Sequence, residues 1–165
     1  MAQQQLFELL KRDHRQVEQF IDQLVEGDED QRQELFDQLN ESLSLHMQLE
    51  EKFFYPRIKN APQLKEQVQD ALEEHRETKE FLQKLSKMKI DSEQWLDTLE
   101  EMQEGVLHHV EDEEDQIFPQ CRDVLNTAQI SEIATQIAEA KESGGVPPKT
   151  PRRTTGKQTG KQART

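Results

Sequence analysis

Cysteine is almost absent from this chain of 165 residues, in which Cys121 is the only example. A disulfide within the chain is therefore excluded, and so is a zinc site built from several thiolates. Long apolar stretches are missing as well. None approaches the ~20 residues that cross a bilayer, and the first residues lack the apolar core of a signal peptide. We therefore expect a soluble, cytoplasmic protein that does not engage a membrane.

Proline and glycine are also scarce. Between Phe7 and Asp91 they occur only as Gly27, Pro56 and Pro62, so long helices are permitted while strands have little support. Hydrophobic residues make up 32% of the chain and charged residues 33%, a balance that by itself favours disorder. A folded core is therefore expected only where the apolar residues recur with a regular period.

Basic residues are in deficit, which gives the chain a formal net charge of −13. The deficit is uneven, because residues 1–142 carry a net charge of −19 whereas residues 143–165 contain no acid. An acidic body repels nucleic acids, so we expect no specific nucleic-acid partner. The tail, whose composition predicts disorder, would attract acidic surfaces only weakly and without specificity. Its six bases are Lys149, Arg152, Arg153, Lys157, Lys161 and Arg164.

Helical periodicity is what the sequence has in abundance. Apolar residues recur at intervals of three and four in four long segments, which predicts four amphipathic helices. A weaker pattern of isoleucines predicts a fifth helix that packs on the others as a lid or buttress. The four long helices are expected over about 3–26, 30–55, 62–88 and 91–119, and the fifth over about 127–142.

Short connections make consecutive helices antiparallel neighbours. Pro56 is expected to end or kink the second helix, and the fourth is expected to end near Pro119. We therefore predict an all-α protein. It consists of an up-down-up-down four-helix bundle over residues 1–125, an additional helix packed on the bundle over 126–142, and a disordered basic tail over 143–165.

One segment occurs twice: it begins with a His, has a Glu four residues later, and reaches a Pro ten residues after the His. The two copies span 46–56 and 109–119. Residues four apart on an α-helix differ by only about 40° around the axis, so the imidazole and the carboxylate of each copy point the same way. The preceding helix repeats as well, because 13–24 matches 74–85 with a His at the same position. The chain is therefore two helical hairpins related by a pseudo-twofold axis.

Six polar side chains lie on the apolar stripes that must face the bundle interior. One core histidine alone would need no explanation, but four imidazoles and two carboxylates enclosed together would each cost several kcal/mol unless something pairs with them. Cations are the simplest partners, and two cations suit six ligands better than one. Nitrogen and oxygen ligands without thiolate favour iron or manganese, with zinc as an alternative. The predicted metal ligands are His14, His46, Glu50, His75, His109 and Glu113.

The two His-x-x-x-Glu segments, together with the matched His14 and His75, resemble the hemerythrin family in its His-His-Glu cation-binding branch. The resemblance covers about residues 5–121. It implies a non-haem centre of two iron ions bridged by the two carboxylates and an oxo or hydroxo group, with the same six residues as ligands. Hemerythrins that carry oxygen have a fifth His one turn after the third-helix ligand. Lys79 stands at that position here, and Thr78 is the alternative inward-facing residue.

The resemblance therefore implies a metal-binding protein that binds or senses oxygen, nitric oxide or a related small molecule such as peroxide, rather than a reversible oxygen carrier. The alternative is an enzyme for peroxide or nitric oxide detoxification, or for donating iron in the repair of iron centres. No residue beyond the metal ligands is predicted to be catalytic or to bind another cofactor.

Several neighbours of the predicted ligands leave alternatives open. Glu51 and Glu114 are expected to lie around the ligands or at the surface, although an overwound helix would let Glu114 replace Glu113, or Glu51 replace Glu50. Asp13 and Glu74 are expected to be surface charges more often than carboxylates that orient a ligand. His108 lies about 100° around the helix from His109, so it is expected at the surface. A hydrophobic wall at one end of the centre is predicted from Phe53, Phe54, Tyr55, Ile117 and Phe118.

Overall fold

The computed structural model describes residues 2–144. The predicted disordered tail, 143–165, lies outside these residues except for its first two. All regular structure within the described range is helical and none is strand, which confirms the predicted all-α class. No helix in the described range is long and apolar enough to cross a membrane.

Five continuous helical segments make up the described part of the chain, and two of them change helix type partway along. Helix α1 packs on α2, α4 on α5, α1 on α5 and α2 on α4, so the predicted up-down-up-down bundle of two hairpins is confirmed. The segments are α1 (Ala2–Glu26), α2 (Arg32–Leu49) continued by a π-helical turn (Glu50–Phe54) and α3 (Tyr55–Ile58), α4 (Lys65–Lys87), α5 (Glu93–Asp112) continued by a second π-helical turn (Glu113–Ile117) and α6 (Phe118–Val124), and α7 (Thr127–Glu142).

The helices continue past both repeated prolines, which corrects the predicted helix ends near residue 55 and near Pro119 but does not contradict the alternative that Pro56 kinks its helix. The helix continues past Pro56 to Ile58 and past Pro119 to Val124. A proline lacks an N–H and its ring crowds the carbonyl of the preceding turn, which normally breaks the ladder of hydrogen bonds. Here a wider π-helical turn comes directly before each proline, and the proline then occupies the first turn of the next α-helical stretch. Turns of this type recur at functional sites.

Helix boundaries follow local chemistry. The side chain of Ser92 accepts a hydrogen bond from the backbone N–H of Trp95 and begins α5, which is the capping role expected of a serine at this position. Asn126 and Gln129 form a capping box that begins α7. Pro62 lies in a turn ahead of α4 rather than at its opening.

Two separate apolar clusters fill the bundle. One contains Phe7, Phe54, Phe118 and the isoleucines of α7, and the other contains Ile21, Phe36, Trp95 and their neighbours. The six predicted ligands lie along the helices between these clusters, because on α1 His14 falls between Leu10 of the first cluster and Val17 of the second. The fold therefore places a polar layer in the middle of an otherwise apolar bundle.

Candidate metal centre

The six predicted ligands come together in one small volume, and none is more than 8% exposed. His14 Nε2 lies 3.0 Å from Glu113 Oε1, and His46 Nε2 lies 3.3 Å from Glu50 Oε1. On the other side, His75 Nε2 lies 3.2 Å from Glu50 Oε1 and 3.2 Å from His109 Nε2. The two π-helical turns begin at Glu50 and Glu113, so each carboxylate enters the centre where its helix unwinds.

Donor atoms in this volume form two overlapping groups, each with its atoms within 4.8 Å of one another. The groups share Glu50, which has contacts with an imidazole from each hairpin. Two cations side by side, with a carboxylate between them, therefore match the arrangement better than one. The first group consists of His14, His46, Glu50 and Glu113, and the second of Glu50, His75 and His109.

Four buried atoms in the centre make no hydrogen bond of suitable geometry within the described part of the protein, although the first and last of them lie only 3.0 Å apart: His14 Nε2, His46 Nε2, Glu50 Oε2 and Glu113 Oε1. A buried polar atom without a partner costs about 1–3 kcal/mol. All four belong to predicted ligands and are the atom types that bind first-row metals. The residues present therefore fit a pair of cations.

Each of the four imidazoles also donates from Nδ1 to a carboxylate outside the centre. His14 bonds to Glu114 at 2.6 Å and His75 to Glu51 at 2.8 Å. These two pairs are related by the pseudo-twofold axis, because 14 matches 75 and 51 matches 114 in the sequence repeat. Such bonds fix the tautomer that leaves Nε2 free to bind a metal.

The other two imidazoles bond to carboxylates outside the centre in the same way, and these two pairs are also related by the pseudo-twofold axis. His46 Nδ1 donates to Asp13 at 2.9 Å and His109 Nδ1 to Glu74 at 2.8 Å. Asp13 and Glu74 are therefore not plain surface charges, which corrects the expectation from sequence. Each acid precedes a predicted ligand in the chain but bonds to the imidazole of the following helix. The signal for this role was their matched position in the repeat, directly before His14 and His75.

Glu114 does not replace Glu113, since the helix is underwound rather than overwound at this turn. The wider turn directs Glu113 into the centre and its neighbour toward His14. His108 is exposed, as expected, with 64% of its side chain accessible.

Tyr55 belongs to the predicted hydrophobic wall, and it also forms hydrogen bonds with the two carboxylates of the centre. Its buried hydroxyl donates to Glu50 Oε1 at 3.2 Å and forms a short hydrogen bond with Glu113 Oε2. Burial and the two carboxylates raise the pKa of Tyr55 well above its usual value, so the phenol keeps its proton. Phe118 occupies the matching position of the second hairpin. The aromatic pair therefore makes the two halves of the centre chemically different.

A cavity of about 20 Å³ lies on the opposite side of the four imidazoles from Tyr55, toward the second apolar cluster. Thr78, which is 8% exposed, is the inward-facing residue of its helix and lines this cavity. Lys79 is instead 48% exposed and donates to Glu51 at 2.9 Å. The remaining lining residues are apolar: Val17, Leu43, Met47, Val106 and Val110.

In the metal-free centre, protonated histidines balance the negative charge of the Glu50 carboxylate. Burial lowers the pKa of His46, but the Glu50 carboxylate and the bond to Asp13 outweigh burial and raise this pKa to about 10. In the same way, burial is outweighed by bonds to Glu50 and Glu51, and the pKa of His75 rises to about 9. Burial tends to raise the pKa of Glu50, but His46 and His75 hold it well below its ordinary value. Imidazolium–carboxylate pairs therefore occupy the centre when no metal is bound.

This balance predicts how the stability of the metal-free protein depends on pH. The folded-state pKa values of His46 and His75 lie above 6.5, so their contribution is complete below pH 6.5 and is lost as pH rises toward 9–10. The contribution of Glu50, whose pKa is lowered, is present above about pH 4.5 and lost below it. Urea unfolding of the metal-free protein should therefore give a free energy of unfolding that is highest between about pH 4.5 and 6.5. A higher value at pH 9 than at pH 6 would contradict this prediction.

Three comparisons place the chain among known proteins. The family model described as the hemerythrin HHE cation binding domain matches residues 5–121. A crystal structure of a hemerythrin HHE cation binding domain-containing protein from Mycobacterium kansasii aligns with a TM-score of 0.73 at 23% identity, covering 84% of this chain and 85% of that chain. At this identity the likeness shows a shared fold.

A protein described as a DNA nickase from Nostoc sp. is 26% identical over 135 residues, which cover 81% of this chain and 38% of that protein. The chain therefore spans well under half the length of this relative.

Proposed function

Because the chain belongs to the hemerythrin HHE cation-binding domain family, we propose that its centre holds two iron ions and binds a small neutral diatomic molecule, either oxygen or nitric oxide. When bound, the iron pair supplies redox-active positions to which such a molecule can coordinate. His14, His46, Glu50 and Glu113 would hold one ion, and Glu50, His75 and His109 the other. Six nitrogen and oxygen ligands without a thiolate favour iron or manganese over softer metals.

The apolar cavity beside the imidazoles is the observation that carries this proposal. Its volume of about 20 Å³ is roughly what one water-sized molecule needs, so it suits a diatomic better than a larger substrate. Its walls beyond the histidines are aliphatic apart from Thr78. Beyond Thr78 these walls offer an anion such as nitrite no hydrogen-bond donor in place of its hydration. The walls therefore favour oxygen and nitric oxide over anions.

Filling this cavity tests the proposal. Val106→Ile adds one methylene to the wall, and Leu107→Ile is the matched control because Leu107 is exposed on the same helix. Iron-loaded protein should change its visible spectrum when nitric oxide is added without air. The Val106→Ile variant should require about tenfold more nitric oxide, a loss of about 1.4 kcal/mol, at unchanged iron content. A spectrum that does not respond in the parent protein, or an equal response in all three proteins, would contradict the proposal.

The position of Tyr55 favours a second candidate, an enzyme that consumes peroxide or nitric oxide. Its hydroxyl keeps its proton and donates to both central carboxylates, so a hydrogen-bond donor stands beside the proposed metal positions. A fixed donor of this kind can stabilise negative charge that develops on a reacting peroxide. Conversion of many equivalents of peroxide per iron pair would favour the enzyme, whereas reaction of one equivalent favours binding or sensing.

DNA cleavage, the activity in the name of the Nostoc relative, is not proposed for this chain. Residues 1–142 carry a net charge of −19, which repels the phosphate backbone.

A further inference from the structure

The two hairpins match each other around the centre, but within residues 2–144 only the first is covered by an additional helix. Helix α7 packs on α1, and its isoleucines join the apolar cluster that contains Leu6, Leu9, Leu45, Leu49 and Phe53. The positions that match these five in the second hairpin are Gln67, Asp70, His108, Asp112 and Gln116. An apolar, covered face of one hairpin is therefore a polar, open face of the other.

A pocket of about 100 Å³ lies on this open face. Its lining includes Asp70, Glu74, Asp112 and one buried imidazole of the centre, His109. One end is bordered by a chain of amides, in which Gln67 donates to Gln116 and accepts from Gln120. The pocket thus connects a surface rich in carboxylates to a predicted metal ligand.

Four carboxylates outside the centre accept hydrogen bonds from its imidazoles, and we call them the outer carboxylates. They differ in whether a basic side chain is paired with them. Three of the four are paired with a lysine or an arginine: Asp13 with Lys141, Glu51 with Lys79 and Glu114 with Arg15. Within the described residues, Glu74 has no such partner and meets only His108 and His109. An incoming cation would meet a fixed positive charge at three of the outer carboxylates and none at the fourth.

Glu74 and Asp112 of the pocket lining form a group with the exposed His108, and these side chains have the atom types that bind a divalent cation. His108 Nε2 lies 3.2 Å from Asp112 Oδ2 and 3.7 Å from Glu74 Oε2. These three residues form a group whose donor atoms lie within 4.8 Å of one another. The second oxygen of Glu74, Oε1, accepts from His109 Nδ1. Glu74 therefore joins the exposed group to the buried centre through one carboxylate.

We propose that this pocket is the entrance through which divalent cations reach the buried centre, with Glu74, His108 and Asp112 as a transient binding site on the way. The proposal rests on the metal-binding function proposed above. A negatively charged cleft raises the local concentration of cations and their rate of association by 10–10³-fold. Neutralising this group therefore slows loading without changing how much metal the centre finally holds.

The loading rate of Co²⁺ into metal-free protein tests the entrance. Cobalt prefers the same nitrogen and oxygen ligands as iron, and its visible absorbance reports arrival at the centre. The double variant His108→Ala/Asp112→Asn removes two of the three proposed donors while Asp70 and Glu74 remain in the pocket, so it should load several-fold more slowly, with the same final absorbance as the parent protein. The matched control is Glu111→Gln, which removes an exposed acid next to Asp112 in the chain but outside the pocket and should load at the parent rate.

The outcomes separate the entrance from the function on which it rests. If the parent protein takes up no Co²⁺ or Fe²⁺ at all, the metal-binding function fails and the entrance with it. If the double variant fills to the same level at the parent rate, the entrance alone is wrong. If Glu111→Gln slows loading as much as the double variant does, general surface charge governs the rate, which also overturns the entrance.

Discussion

Replacing Glu113 with alanine is expected to lower metal affinity by more than about 100-fold and to destabilise the metal-free protein at the same time. Removing a group that only hydrogen-bonds to a metal ligand already lowers metal affinity by about 10–100-fold. Glu113 lies inside the centre, beside His14 and the hydroxyl of Tyr55. Its removal takes a carboxylate away from the buried Tyr55 hydroxyl and from His14 Nε2, although His14 keeps its bond to Glu114. Leaving a buried polar group short of a partner costs about 1–3 kcal/mol. Isothermal titration with Mn²⁺ and urea unfolding measure the two effects.

The matched control is Asp115→Ala, because Asp115 is exposed on the same π-helical turn. It should leave both the metal affinity and the free energy of unfolding close to those of the parent protein. Full metal occupancy in Glu113→Ala, or equal losses in both variants, would remove Glu113 from the proposed ligand set.

Removing the metal is expected to lower the melting temperature of the protein by about 10 °C. A ligand at 1,000 times its dissociation constant stabilises the folded state by about 4.1 kcal/mol. For a domain of this size, each kcal/mol shifts Tm by about 2–4 °C. Calorimetry with and without a chelator measures the change, and it should be reversed when Fe²⁺ is restored without air.

Two histidine variants make the melting experiment specific. His46→Ala removes a buried imidazole of the centre, so its Tm should no longer respond to the chelator. His108→Ala removes an exposed imidazole that serves only the proposed entrance, so its Tm at equilibrium should respond as the parent does. Equal melting temperatures of the parent protein with and without chelator would show that metal does not stabilise the fold.

The bundle and the meeting of the six central residues were predictable because both depend on spacing. A His and a Glu four residues apart share one face of a helix, and the repeat relates the two hairpins. His46 with Glu50 and His109 with Glu113 therefore had to face the same interior. The resemblance to the hemerythrin family, based on the same residues, is confirmed over residues 5–121.

The outer carboxylates were less predictable because their partners lie on other helices. Asp13 bonds to His46, 33 residues away, and Glu114 to His14, 100 residues away. Spacing along one helix carries no information on such pairs. The rotation between packed helices decides them, and it becomes visible only once the bundle is assembled. The continuation of the helices past Pro56 and Pro119 was missed for a related reason, because a π-helical turn leaves no spacing signature of its own.

The difference between the two hairpins was the least accessible feature. In the repeat Leu9 matches Asp70 and Leu45 matches His108, and the sequence alone gives these differences no interpretation. Their role can be interpreted only from the structure, in which α7 packs on the first hairpin while, in the described part of the chain, no additional helix covers the matching face of the second. Tyr55 opposite Phe118 is a similar case, since one hydroxyl distinguishes two halves that are otherwise alike.

Metal content measured together with the absorbance spectrum tests the central claim most directly, namely that the enclosed imidazoles and carboxylates exist to hold cations. The protein should be purified, offered Fe²⁺ without air, freed of unbound metal and analysed by elemental mass spectrometry. The account predicts two iron ions per chain and a visible absorbance that appears when air is admitted. A chain that remains empty under these conditions, with no absorbance in the visible range, would contradict it.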